Sequence, residues 1–219
     1  ETQARARRIS QSWCSQACFR WTLIFMDKGI IIELDKLEYV GKATTMKIII
    51  YGSQYGTAKQ YAEELARKTS IDLKSYEDVT DINRYDTVIY VGGLYAGGVL
   101  GMKKTLAKMS QCQSKKIIIA TVGLADPMDT ANTNSIKNSM KRQLSNELYE
   151  NAHIFHLRGG IDYSRLSFKH KTMMGLLYRK AVGLPEEKKT AEVKAMIETY
   201  NKKVEFVDFD SLTAIVNDI

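Results

Sequence analysis

The sequence contains little of what marks a membrane-spanning, secreted or disulfide-rich protein. Its 219 residues include only three cysteines, three histidines and two prolines. No apolar run reaches the roughly 18 residues that a membrane-spanning helix needs. A secretory signal needs an apolar core after a basic start, whereas the apolar stretch 21–26 ends at once in Asp27 and Lys28. Because nothing suggests a disulfide framework, we expect a cytoplasmic protein.

Residues 1–45 differ in composition from the rest of the chain. They contain both tryptophans and two of the three cysteines, and they begin with glutamate rather than methionine. Since Met46 directly precedes the first predicted strand, we interpret residues 1–45 as an extension, which translation upstream of Met46 could produce. We expect the domain to cover residues 46–219. Cys14 and Cys18 could bind a metal or heme, but two ligands without partners favour an incidental pairing, so no metal site is predicted.

The most informative segment is residues 46–58. An apolar, β-branched run leads into a loop of glycines and hydroxyl residues, and the loop opens a helix predicted over residues 58–68. The amides and the dipole of a helix N-terminus favour a bound anion. Ser53 and Thr57 can add hydroxyl donors. The segment therefore predicts a phosphate-binding loop, with an ordinary capped strand-to-helix turn as the alternative.

The pattern of this loop excludes two common nucleotide motifs. No Gly-Lys-Ser/Thr follows it, so it is not a Walker A loop, and the spacing of Gly52 and Gly56 does not give Gly-x-Gly-x-x-Gly. A hydroxyl-lined loop without lysine suits a phosphomonoester that is bound by neutral donors.

Residues 51–58 resemble the FMN-phosphate loop of the flavodoxin family, whose pattern is Ser/Thr-x-Thr-Gly-x-Thr. Tyr55 stands where that pattern has its middle threonine and Ala58 where it has the last, so backbone amides would supply more of the binding. The resemblance implies a flavodoxin-like fold and FMN as the cofactor. It implies phosphate-loop contacts from Ser53, Gln54, Tyr55, Gly56, Thr57 and Ala58.

The remaining pattern predicts alternating strands and helices. After the first strand and helix, four further strands are predicted at residues 71–76, 87–91, 116–122 and 153–157. Further helices are predicted at residues 102–109, 133–149 and from 211 to 216 or beyond, the last capped by Asp208 or Asp210. Continuous apolar strands that alternate with helices indicate an α/β three-layer sandwich, with a five-stranded parallel sheet in the flavodoxin-like order 2-1-3-4-5.

In that order the ligand lies outside the carboxyl ends of the strands, near strands 1 and 3. The loops of interest are then 52–58, 92–101 and 121–129. In flavodoxin-like proteins the second of these lies beside the isoalloxazine ring, which implies that Tyr95 stacks on the flavin; the alternative is a flexible turn in which Tyr95 packs on the core. The further cofactor contacts are Gly93, Leu94, Tyr95, Ala96, Gly97, Thr121, Val122 and Gly123. Asp126 is predicted to be a turn residue rather than a catalyst.

Positive charge is concentrated in one stretch of the domain. Residues 158–182 carry six Lys and Arg against Asp162 alone, a surplus of five within a chain of net charge +7. We expect a basic helical insert at about residues 166–204. A helical arrangement over residues 168–182 places four apolar side chains on one face: Met173, Met174, Leu177 and Ala181.

Such a helix is typical of a membrane surface or a partner groove. The pattern leaves two interpretations open, an ordinary core-packing helix with solvated lysines and peripheral membrane contact through residues 168–182. No recognised nucleic-acid motif accompanies the charge, so no nucleic-acid partner is expected.

Residues 46–219 as a whole are similar to the flavodoxin-type protoporphyrinogen IX dehydrogenases of bacteria, which reduce a membrane quinone. The similarity rests on residues 159–168, on the basic helix that follows, and on residues 205–212. Ala96-Gly97 stands where that family has Arg-Tyr, and Asp162 stands where it favours arginine.

Three functions remain open. The first is an FMN-dependent oxidoreductase that oxidises protoporphyrinogen IX with a quinone as acceptor. The second is a flavodoxin-type electron carrier between soluble redox partner proteins, and the third is a flavin-free binding module. No catalytic side chain is predicted, because the flavin would carry the chemistry. His153 and His156 lie on opposite faces of a strand, which argues against joint ligation of a metal.

Overall fold

The structure is a computed structural model that describes residues 24–26, 29–31, 45–95 and 97–219. Internal contacts divide the chain into residues 1–43 and 44–219. In the first unit two short strands, β1 (Ile24–Met26) and β2 (Gly29–Ile31), pair antiparallel. Cys14 and Cys18 lie outside the described residues.

A central parallel sheet organises the second unit. Its five parallel strands are β3 (Lys47–Gly52), β4 (Leu73–Ser75), β5 (Thr87–Tyr95), β7 (Lys116–Gly123) and β8 (Ala152–Arg158). Their spatial order is β4-β3-β5-β7-β8, which confirms the α/β fold and the predicted order 2-1-3-4-5. A short strand that the sequence did not predict, β6 (Gly98–Val99), pairs antiparallel with the end of β5.

Helices cover both faces of this sheet. They are α1 (Thr57–Thr69), α2 (Met102–Leu106), α3 (Thr130–Gln143), α4 (Asn146–Asn151), α5 (Phe168–Val182), α6 (Ala191–Thr199) and α7 (Thr213–Asp218). A separate antiparallel pair consists of β9 (Gly160–Asp162) and β10 (Lys203–Glu205). Residues 163–202, between β9 and β10, contain α5 and α6 and are called the insert below. None of the helices in the described ranges is long and apolar enough to cross a membrane.

The strands are apolar on both sides because each side packs against helices. In β3, Ile48 and Ile50 pack with α2 and α3 on one face, whereas Ile49 packs with α1 and α7 on the other. All three isoleucines are fully buried. The two cores fix the register of the ladder, since a one-residue shift would exchange the two faces.

Two predicted helix boundaries differ from the structure. The helix predicted at residues 133–149 is instead two helices, because the chain turns at Leu144 and Ser145 caps α4 by accepting from Leu148 N (3.3 Å). The last helix is preceded by a 3₁₀ turn at Phe209–Leu212, and Asp208 caps that turn by accepting from Asp210 N (2.9 Å).

Tyr61 joins the end of β8 to the segment before α7. Its ring is fully buried, and its hydroxyl donates to Arg158 O (2.8 Å) and accepts from Asp208 N (2.9 Å). We expect Tyr61→Phe to lower the free energy of unfolding by about 1–3 kcal/mol, because two part-buried backbone groups lose their partner. Urea unfolding measures this change.

Tyr51→Phe is the matched control. The ring of Tyr51 packs against the core, and Lys59 Nζ lies 6.0 Å from its centroid. Removal of its hydroxyl should therefore change stability by about 0.5 kcal/mol or less. Equal effects of the two substitutions would contradict the bridging role of Tyr61.

Candidate functional site

A cavity of about 670 Å³ lies at the carboxyl ends of the strands, between three strand-end loops and the insert. Its volume is in the range of small-molecule sites. The structure brings eleven of the predicted site residues to its walls: Ser53, Gln54, Tyr55, Thr57, Ala58, Gly93, Leu94, Tyr95, Gly97, Val122 and Gly123.

The phosphate-type loop leaves backbone donors available at the start of α1. Gly56, the residue before this helix, has a φ of 97°, in the left-handed region that glycine adopts easily, and no side chain caps the helix. By contrast, α3 is capped by the preceding Asp129, whose carboxylate accepts from Ala131 N (2.8 Å) and Asn132 N (3.4 Å). The first amides of α1 can therefore receive an anion.

The two hydroxyl groups of this loop have different partners. Ser53 Oγ accepts from Gly56 N (3.1 Å), so the hydroxyl proton of Ser53 can be donated to a ligand. Thr57 Oγ1 instead donates to Gly160 O (3.2 Å) in β9. The sequence predicted both hydroxyl groups as phosphate donors. In this structure the Thr57 hydroxyl instead joins the loop to β9, the strand that leads into the insert, through its hydrogen bond to Gly160 O.

Two aromatic side chains stand along the cavity beside this loop. The rings of Tyr95 and Tyr55 meet edge-on with centroids 6.3 Å apart, and Tyr95 Oη lies 3.8 Å from Met173 Sδ. The Tyr55 hydroxyl is buried without a partner among the described residues. Burial, with a smaller effect of Tyr95, raises the pKa of Tyr55, so this phenol stays neutral.

Two predicted site residues do not line the cavity. Thr121 is buried in β7, and its Oγ1 lies 2.7 Å from His156 Nδ1 rather than at the cavity. Burial and then the charge of Lys137 lower the pKa of His156. Gly56 lines a smaller polar cleft of about 460 Å³, which shares Gln54, Tyr55 and Thr57 with the cavity. Ala96 lies outside the described residues.

The other polar residues discussed from the sequence have local partners. Asp126 accepts from Met128 N (2.8 Å), as expected of a turn residue. His153 Nδ1 lies 2.7 Å from Asp218 Oδ2, so His153 and His156 have separate partners.

The apolar face of the basic helix closes the cavity. Met173, Met174, Leu177 and Ala181 of α5 line it, together with Val193 and Met196 of α6. The sequence placed the first four residues on one face and left two roles for it, contact with a membrane or partner and ordinary core packing. In the structure this face lines the cavity over the strand ends of its own domain.

The glycines after β8 were also missed as site residues. Gly159 and Gly160 line the cavity, and a Cβ on Gly159 would lie 2.7 Å from Val122 Cγ1. Two consecutive glycines at the end of strand five were a usable signal, because that strand ends on the same edge of the sheet as the three predicted loops.

The chain was compared with known families and structures. The model of a flavodoxin domain matches residues 48–188, whereas no curated protein matches the chain. A flavoprotein in complex with FMN from Lactobacillus acidophilus is 15% identical, over 52% of this chain and 92% of that chain, with a TM-score of 0.35. A flavodoxin variant from Pseudomonas aeruginosa is 18% identical, over 63% of this chain and 97% of that chain, with a TM-score of 0.34.

Proposed function

This chain belongs to the flavodoxin domain family, and from that premise we propose that it binds FMN in the cavity under the insert and acts as a flavin-dependent oxidoreductase. The observation that carries the proposal is that one cavity has two kinds of wall: a loop with donors for an anion, and an apolar part, called the slot below. Ser53 and the first amides of α1 lie at one part of its wall, and Leu94, Tyr95 and Val122 lie at another.

The residues present fit this cofactor. A phosphate dianion suits the Ser53 hydroxyl and the amides of Thr57 and Ala58, while a flat aromatic ring system suits the slot beside Tyr95. When bound, FMN supplies the electron transfer. The chain holds and orients it, and Met173 and Met174 exclude water from the slot.

A hydroxyl substitution in the loop tests this assignment. Ser53→Ala should weaken FMN binding by about 10–100-fold, because a hydrogen bond to a charged group contributes about 1.5–3 kcal/mol. Fluorescence titration measures the affinity. Riboflavin, which has the same ring system without the phosphate, should bind the variant and the original protein alike. An equal loss for both ligands would contradict a phosphate contact at Ser53.

For the substrate, we propose protoporphyrinogen IX, with a membrane quinone as the electron acceptor. The insert supports this proposal, because α5 and α6 add an apolar cover to the strand-end loops and the cavity extends to Leu184 and Met196. The alternative is an electron carrier between soluble partners. The cationic outer side of α5 favours it, because that surface could dock an acidic redox partner.

Anaerobic turnover separates these two functions. FMN-loaded protein mixed with protoporphyrinogen IX should lose the visible absorbance of its oxidised flavin, and menadione should restore it. A flavin that protoporphyrinogen IX leaves oxidised, but that a flavodoxin reductase reduces, would contradict the enzyme and support the carrier.

The outer face of α5 supports membrane contact, and we propose an anionic lipid surface as its occupant. This face is the solvent-exposed side of α5. Phe168, at the start of the helix, is 86% exposed and Leu176 is 62% exposed, and Val182 is exposed at the end of the helix. Residues 163–185 contain five Lys and Arg and no acidic residue. Exposed apolar side chains among cations match the chemistry of an anionic bilayer surface.

Liposome flotation measures this contact. With vesicles that contain phosphatidylglycerol, the double variant Phe168→Ala/Leu176→Ala should lose most of its bound fraction, because its outer face no longer inserts apolar side chains. Met128→Ala is the matched control, since Met128 is 85% exposed elsewhere on the surface. Equal flotation of the double variant and the control would contradict docking through α5.

A further inference from the structure

The apolar wall of the cavity continues along α5 beyond the slot. Met173, whose Sδ lies 3.8 Å from Tyr95 Oη, marks the part of the wall beside the slot. Ala181 lines the same cavity eight positions later, about 12 Å along the helix axis. Leu184 extends the wall past the end of the helix. We call this part of the cavity, between α5 and α6, the arm, and it is lined by Leu177, Ala181, Leu184, Val193 and Met196.

Contacts outside the arm join its two helices. The rings of Tyr178 in α5 and Tyr200, directly after α6, are stacked with their centroids 3.9 Å apart. At Gly175 of α5 a Cβ would lie 3.3 Å from Tyr200 Oη, so the helix approaches this tyrosine closely. These three residues do not line the cavity. The arm is therefore a cleft between two helices that are packed together elsewhere along their length.

The arm reaches the exposed surface of α5. Leu177 lines the cavity and is 43% exposed, and the next residue towards the N-terminus, Leu176, belongs to the surface for which lipid contact is proposed. Lys180 and Glu192, the charged residues among those that line the cavity, are also exposed. Their charges can stay in water while the rest of the arm is apolar. Leu177 thus connects the arm to the proposed lipid surface.

An apolar, linear group suits such a cleft. A quinone that resides in a bilayer carries an isoprenoid chain on its ring, and this chain gains free energy for each methylene group that leaves water. A compact polar ligand would lose its hydration in the arm without gaining hydrogen bonds. The flavin does not account for the arm either, because its phosphate end and its ring system are assigned to the loop and the slot.

We propose that the arm binds the isoprenoid chain of the quinone acceptor, and that the cavity thereby selects a quinone with a chain over the bare ring. The inference rests on the proposed function, because the quinone acceptor is proposed there. With the chain between α5 and α6, the quinone ring lies towards Tyr95, where the flavin ring system is placed. Ala181, with its small side chain, leaves room for the chain on the α5 side of the arm.

Met196 reports on the arm without any cofactor. In full-length protein with ¹³C-labelled methionine methyl groups, the resonance missing from Met196→Leu identifies Met196. A menadione that carries a geranyl chain should shift this resonance, whereas menadione itself should leave it unchanged. Met128 is the internal control, since it is exposed on another part of the surface, and its resonance should respond to neither quinone.

A larger side chain in the arm tests the selection. Titration of the original protein should give a Kd for the geranyl quinone about 10–100-fold below that for menadione, the effect of burying a few methylene groups. Val193→Phe fills the arm, so this variant should bind both quinones with the same Kd. Ala191→Phe enlarges a partly buried residue of α6 that does not line the cavity, and it should keep the preference of the original protein.

Three results would overturn the proposal. They are equal affinity of the original protein for the two quinones, a preference that Val193→Phe retains in full, and a Met196 resonance that protoporphyrin IX shifts while the geranyl quinone does not. The last result would assign the arm to the tetrapyrrole. Failure of the proposed function is seen separately, as protein that takes up no FMN. The Met196 titration uses unloaded protein, so it decides the role of the arm in that case too.

Discussion

Parallel pairing of β3, β5, β7 and β8 is the constraint on which the site depends. Because these strands run in one direction, the residues that follow them meet along one edge of the sheet. The packing of both faces fixes the register of the strands, and the register sets where each loop begins. One hydrogen bond, from Thr57 Oγ1 to Gly160 O (3.2 Å), then joins the loop after β3 to the strand that leads into the insert. The order of the strands in the sheet thus positions both the loops and the insert that covers them.

The insert gives α5 two surfaces with different chemistry. One surface, with Met173 and Met174, closes the cavity over the strand ends. The solvent-exposed side of the helix carries Phe168 and Leu176 among cations. A helix with this arrangement can cover a cofactor site and contact a second surface at the same time. The membrane contact proposed above would use the exposed side of this helix.

Local pattern was sufficient to predict the sheet, because runs such as Ile48 to Ile50 leave few alternatives to a strand buried on both faces. The loop of Ser53 and Thr57 was recognisable for the same reason. Local pattern could not show where the insert folds back, since that depends on contacts between residues far apart in sequence. It also could not show the direction of a side chain. Thr121, near the end of a predicted strand, was expected at the cofactor site, yet its hydroxyl faces His156 inside the sheet. The break at Ser145 was visible in principle as a helix-capping residue.

A crystal structure of the full chain grown with FMN tests the central claim most directly. The account predicts the phosphate against Ser53 and the first amides of α1, and the ring system beside Tyr95 under α5. FMN bound elsewhere on the protein, or FMN whose phosphate does not contact Ser53 or the first amides of α1 and whose ring system is away from Tyr95, would contradict it.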